Sequence, residues 1–169
     1  LSHGNCQAAL DAINKVYSSS YVTEDVVVIR SSAYACFAGF NFVGLLNNFS
    51  SISNPYAAMA HSFSSTSYNI SAMYLAVDTL TDGVGRLNAS QRSTQRNSYM
   101  LFLQLGVIGA ILSAYGSPDA ITGAQGVNLS YSNPRGGGDM ANADACALGS
   151  AYGMLIDTLQ YTSAGSNAN

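Results

Sequence analysis

The sequence predicts an all-α fold of about seven helices, packed as antiparallel hairpins around a central apolar helix near residues 90–115. Three observations lead there. Apolar residues recur at helical spacing along most of the chain, capping residues stand where those segments begin, and the connections are mostly short. The 169 residues suit a single domain, 1–169, that buries about 70 % of its unfolded surface around one core.

The first helix is expected from Asn5 as N-cap to about Ser19, with Cys6, Ala9, Leu10, Ile13, Val16 and Tyr17 on its apolar stripe. Thr23 caps a second, and Glu24 and Asp25 sit in its first turn, where the positive end of the helix dipole favours acids. Val26-Val27-Val28-Ile29 alone reads as a strand; the cap and the continuation to Ala38 favour a helix. Gly39 breaks it, and a third helix follows over about Asn41–Ser50. Asn54-Pro55 opens a short fourth through Met59 and His61, proline being well suited to the first helical position. After a Ser-rich loop, Ile70, Met73, Val77 and Leu80 form the stripe of a fifth helix ending at Gly83. The sixth runs from Ser90 to Tyr115, with Gly116 and Pro118 as stop signals. Residues 117–138 read as irregular loop, Asp139 caps a seventh helix to about Tyr161, and 163–169 reads as a polar tail.

From Tyr99 to Tyr115 the sixth helix is apolar on every side apart from Gln104, Gly106, Gly109 and Ser113. A helix of that kind must be surrounded. A membrane span is the other reading, but the stretch falls short of the roughly 20 residues a bilayer requires and contains a glutamine. Buried core is therefore expected, with Gly106 and Gly109 permitting close helix approach.

Composition excludes whole classes of function. A net charge of −3 cannot hold a nucleic-acid backbone. Charged residues make up 9 % of the chain against roughly 25 % in an ordinary soluble domain, while apolar residues stand at 48 %. Such a chain is not disordered. Three cysteines without a C-x-x-C pair, and two histidines, argue against a structural metal. The sequence leaves room for a signal or lipid anchor upstream of Leu1.

The stretch Val28–Asn48 resembles a tetratricopeptide-type helical hairpin: a helix of small and aromatic residues, Gly39 at the turn, and Gly44 where the second helix usually carries a small residue. The resemblance covers one hairpin. It departs from the pattern in lacking the closing proline and a clean repeat of about 34 residues. The Ala- and Ser-rich composition is also similar to helical-hairpin proteins of bacterial envelopes. The resemblance implies a non-enzymatic scaffold or assembly subunit.

In an antiparallel hairpin turning near Tyr21, Cys6 and Cys36 lie equally far from the turn, which brings them within reach of a disulfide and leaves Cys146 unpaired. Three reduced, buried cysteines are the alternative. A bond would mark an oxidising compartment, extracellular or periplasmic.

Familiar catalytic patterns are missing from the sequence. His3 and His61 are the only imidazoles, no G-x-S-x-G or H-E-x-x-H occurs, and Lys15 lies outside any phosphate loop. His61 is expected to be structural, and no cofactor or enzyme activity is assigned. Asn-x-Ser sequons at Asn48, Asn69, Asn88 and Asn128 are no more than composition would produce by chance. Asp119 with Arg135-Gly136-Gly137-Gly138-Asp139 makes too poor an oxygen set for calcium.

One feature does point somewhere. No Asp, Glu, Lys or Arg occurs from Ser31 to Val77, nor from Asn97 to Pro118. Outward positions there fall to Ser31, Ser32, Asn41, Asn47, Asn48, Ser51, Ser64 and Ser67, a surface cheap to desolvate. Interface cores are depleted in Lys and Glu and enriched in Tyr and Met, and this chain has 11 Tyr and 5 Met. The expected function is a non-enzymatic secreted or cell-envelope structural protein, associating with copies of itself or other envelope proteins. Contact residues are Tyr56, Tyr68, Tyr131, Tyr161 and the Asn128–Gly138 loop with Arg135. The alternative is a tetratricopeptide-like adaptor holding a peptide or small apolar ligand between its helices. An enzyme using His61 with a nearby Ser and Asp is the remaining option.

Overall fold

A computed structural model describes residues 5–17, 22–62, 69–82, 87–118, 125–127, 140 and 142–164. It holds α1 (Cys6–Tyr17), α2 (Glu24–Phe37), α3 (Phe42–Ser51), α4 (Pro55–Ala60), α5 (Ile70–Leu80), α6 (Thr94–Tyr115) and α7 (Asn142–Ala164). Between the last two helices, β1 (Gly116–Pro118) pairs antiparallel with β2 (Gln125–Val127), Ser117 opposite Gly126. The fold is all-α with seven helices and this one minimal ribbon among the described residues.

Local polar chemistry starts most of the helices. Asn41, Asn54 and Asn69 each accept the orphan backbone N–H groups of the turn they precede, and Thr23 does so for α2. A cap of this kind contributes about 1 kcal/mol. It settles the valine run as helix, with Val27, Ser31 and Ala35 buried at successive i+4 positions. That helix ends in a Schellman motif: Gly39 takes φ 93°, its N–H reaches the Cys36 carbonyl at 2.9 Å, and the Phe40 N–H reaches the Ala35 carbonyl at 3.0 Å. The end of α5 uses Asp82, at φ 64°, in the left-handed role, one residue before the expected Gly83.

The α6 helix occupies the centre, packed on α2, α4, α5 and α7. Met100, Leu103, Val107, Ile108 and Ile111 meet Val27, Leu45, Met73 and Leu80 in one core. Full burial of each large side chain stabilises the fold by about 1.5–3 kcal/mol. A Cβ on Gly106 would stand 2.9 Å from the Met73 methyl, and one on Gly109 would strike the Met59 backbone, so both glycines permit close approach as expected. No helix of the described residues is long and apolar enough to cross a membrane.

Helices α1 and α2 form an antiparallel hairpin, with Cys6 and Cys36 at disulfide-bonding distance, Cα–Cα 5.5 Å. Arg30 ties the same pair, stacked 3.9 Å over the Tyr17 ring with Nε donating to Asn14 at 2.8 Å. Helix α3 turns away after Gly39 and packs on α4, while α2 packs on α5.

Several sequence expectations are corrected. The sixth helix begins at Thr94, because Asn88–Ser93 winds into a capped turn in which Ser93 Oγ accepts from the Arg96 N–H at 3.2 Å. Residues 117–138 are not all irregular, since strand pairing is a backbone property that needs no apolar alternation. Helix α7 continues to Ala164, into the expected tail. Ser31, expected outward, is buried and donates to the Ala76 carbonyl at 2.8 Å, because α5 covers that side of α2.

Candidate functional site

Ser31 removed, the charge-free stretch still reaches the surface, but through apolar side chains. On α3, Leu45 points into the core, and this rotates Val43, Leu46 and Phe49 outward; Val43 is 64 % exposed. Asn41, Asn47 and Ser51 lie beside them, exposed, whereas Ser32 and Asn48 are half-buried. The Asn48 amide donates to Ser62 and to the Ala58 carbonyl, both at 3.4 Å, Asn69 caps α5, and Asn88 Oδ1 accepts from Ser90 Oγ at 2.7 Å, so three of the sequon asparagines have structural roles.

Tyr56 is 50 % exposed at the start of α4 and shares a hydrogen bond with Tyr152 of α7. Burial, and then the neighbouring Tyr56 hydroxyl, push the Tyr152 pKa above its ordinary value. Tyr161 is 45 % exposed near the end of α7, on a helix that also presents Ile156 and Leu159 to the exterior. The structure therefore leaves Tyr56 and Tyr161 accessible on separate helices. The other expected contact residues, Tyr68, Asn128, Tyr131 and Arg135, lie outside the described residues, as do Ser64, Ser67 and the Asp119 and Asp139 carboxylates.

Between α2, α3 and α6 a depression of about 340 Å³ is lined by Ser32, Phe40, Phe42 and Tyr99. Burial raises the Tyr99 pKa, and a hydrogen bond with Ser32 partly offsets it. A larger groove of about 460 Å³ lies between α5, α6 and α7, lined by Tyr74, Val77, Gln104, Val107, Cys146 and Met154 among others. In the sequence the groove's one signal is Gln104, the lone long polar side chain between Tyr99 and Tyr115.

Charged side chains latch α2 to α6. Glu24 accepts from Arg96 Nε and from Ser93 Oγ, each at 2.8 Å, and Gln95 donates to Asp25 at 3.0 Å, so the start of α2 is fastened to the start of α6. His61 is exposed just past α4. Among the described residues no group of three or more His, Cys, Asp or Glu is placed to hold a metal ion. Cys146 is a free, exposed thiol. Comparison with family models, with curated proteins and with solved structures finds no match to this chain.

Proposed function

We propose that this chain is a non-enzymatic structural or assembly protein of the cell exterior or envelope, which associates with further copies of itself through the uncharged face of α3. The observation that carries the reading is the outward row Val43, Leu46 and Phe49 within a stretch, Ser31–Val77, that contains no ionisable acid or base of the Asp, Glu, Lys or Arg type. Such a face carries no charge to repel an identical one, and its asparagines and serines can satisfy each other at a polar rim. Tyr56 extends the contact from α4. Cys6 and Cys36 at disulfide-bonding distance fit an oxidising compartment. The weak tetratricopeptide resemblance of Val28–Asn48 points to the same scaffold role. No catalytic step, cofactor or nucleic-acid partner is assigned.

Sedimentation velocity over a wide concentration range tests this. The wild-type mass should rise with concentration, and the Val43→Lys/Leu46→Lys variant should stay monomeric with unchanged helicity. A wild-type chain that is monomeric at every concentration removes self-association. An oligomer that ignores the double substitution removes α3 as its interface.

A further inference from the structure

On the α7 side of the groove between α5, α6 and α7 stand Ala143, Ala147 and Ala151, one residue per turn, with Asp144, Cys146, Ser150 and Met154 beside them. Facing them is Gln104, 1 % exposed. Its amide nitrogen has two partners, and both are thioethers: Met100 Sδ at 3.0 Å and Met154 Sδ at 3.7 Å. Thioether sulfur is a weak acceptor, whereas a carboxamide offers two good donors and a strong acceptor oxygen. Elsewhere in the described core, buried polar side chains reach oxygen: Ser31 a carbonyl, Arg92 and Asn97 carbonyl and side-chain oxygens. Gln104 is thus a buried polar group at the wall of a largely apolar groove, its amide nitrogen donating to thioether sulfur rather than to oxygen.

We infer that this groove binds a small, uncharged, largely apolar molecule carrying one hydrogen-bonding group, which the Gln104 carboxamide receives. Its volume of about 460 Å³ falls within the range of small-molecule sites, which are apolar with a few placed polar groups. Charge selects the class. Asp144 is the sole Asp, Glu, Lys or Arg among the described lining residues, so an anionic amphiphile finds no cation to meet and one carboxylate to repel it. The inference is independent of self-association through α3.

N-Phenyl-1-naphthylamine, a neutral molecule with two aromatic units and a single N–H donor, is a suitable probe for the wild-type chain. Its fluorescence should rise saturably. Cys146, exposed and lining the groove, should react with N-ethylmaleimide more slowly as the dye saturates. Ser150→Phe, an exposed lining position, should abolish binding and protection alike while leaving the thermal melt unchanged. Gln104→Leu, which preserves size, should weaken the dye about tenfold, the equivalent of one hydrogen bond. Dye binding that survives Ser150→Phe, or leaves Cys146 reactivity untouched, overturns the site. Loss of binding in Val43→Lys/Leu46→Lys, with Ser150→Phe unaffected, assigns the dye to α3. Wild-type affinity in a folded Gln104→Leu variant overturns the role of the carboxamide.

Discussion

Arg92 Nη2 donates to Thr158 Oγ1 at 2.9 Å across 66 residues of sequence, fastening the turn before α6 to the buried side of α7. The guanidinium is itself buried and also donates to Asn97 Oδ1 at 2.8 Å and the Leu87 carbonyl at 3.1 Å. Burial lowers its pKa, with Asp157 acting in the opposite sense. Removing the donors strands these oxygens in the interior, so Arg92→Leu should cost about 2–3 kcal/mol in urea unfolding. Arg92→Lys should recover little, since one ammonium cannot reproduce the fork. A loss within experimental error in Arg92→Leu would show that water serves the stranded oxygens equally well.

The Glu24–Arg96 pair gives a pH dependence of defined sign. Burial alone would raise the Glu24 pKa, but the hydrogen bonds from Arg96 and Ser93 and the Arg96 charge together bring it below the usual 4.5. A depressed folded-state value contributes stability that is complete above the unfolded pKa and disappears as pH falls through the folded one. With the Glu24 side chain 47 % exposed, that contribution is modest, about 0.5–1 kcal/mol. Glu24→Gln should therefore destabilise by this amount at neutral pH and by nothing at about pH 2, where both chains carry a neutral side chain. An equal cost at both values would assign the effect to packing.

Glycines on the two long helices should respond oppositely. Gly109 faces the Met59 backbone without room for a methyl, and Gly109→Ala should cost about 2–3 kcal/mol as α4 is forced off α6. Gly149 and Gly153 in α7 have nothing within 4 Å of an added Cβ. Alanine there restricts the unfolded chain at no steric cost, and each substitution should stabilise by about 0.5–1 kcal/mol. Thermal melts of the three variants separate the cases, and a destabilised Gly149→Ala would reveal a neighbour on that face.

Thiol counting decides the α1–α2 link. Unreduced protein in denaturant should expose one reactive thiol, Cys146, and reduced protein three. Closing a separation of 30 residues should contribute about 3.5 kcal/mol, lost in a Cys6→Ser/Cys36→Ser variant. Three thiols without reductant would leave the hairpin to packing and to Arg30 alone.

Legibility in the sequence tracks how local the physics is. Asn41, Asn54 and Asn69 cap helices by bonding their own next turn, and proline and glycine act through their own φ, so element type could be read residue by residue. The Cys6–Cys36 approach followed from hairpin length. By contrast, the start of α6 is not legible locally, because Ser90 and Ser93 are equally good caps in isolation. In the folded chain Ser93 Oγ accepts from the Arg96 N–H while Ser90 Oγ donates to Asn88, and Arg92 between them bonds Thr158 of a distant helix.

The sequence by itself determined an all-helical chain with few charges, a glycine-lined central helix and one reachable cysteine pair, since each depends on spacing and side-chain chemistry along a single strand of polymer. Only the tertiary structure decided which residues of the uncharged stretch meet the outside. Ser31 vanished beneath α5 and Val43, Leu46 and Phe49 turned outward, because a helix offers several faces and its neighbours choose which one to cover. The groove around Gln104 arose in the same way, from three helices whose distance apart no single segment encodes.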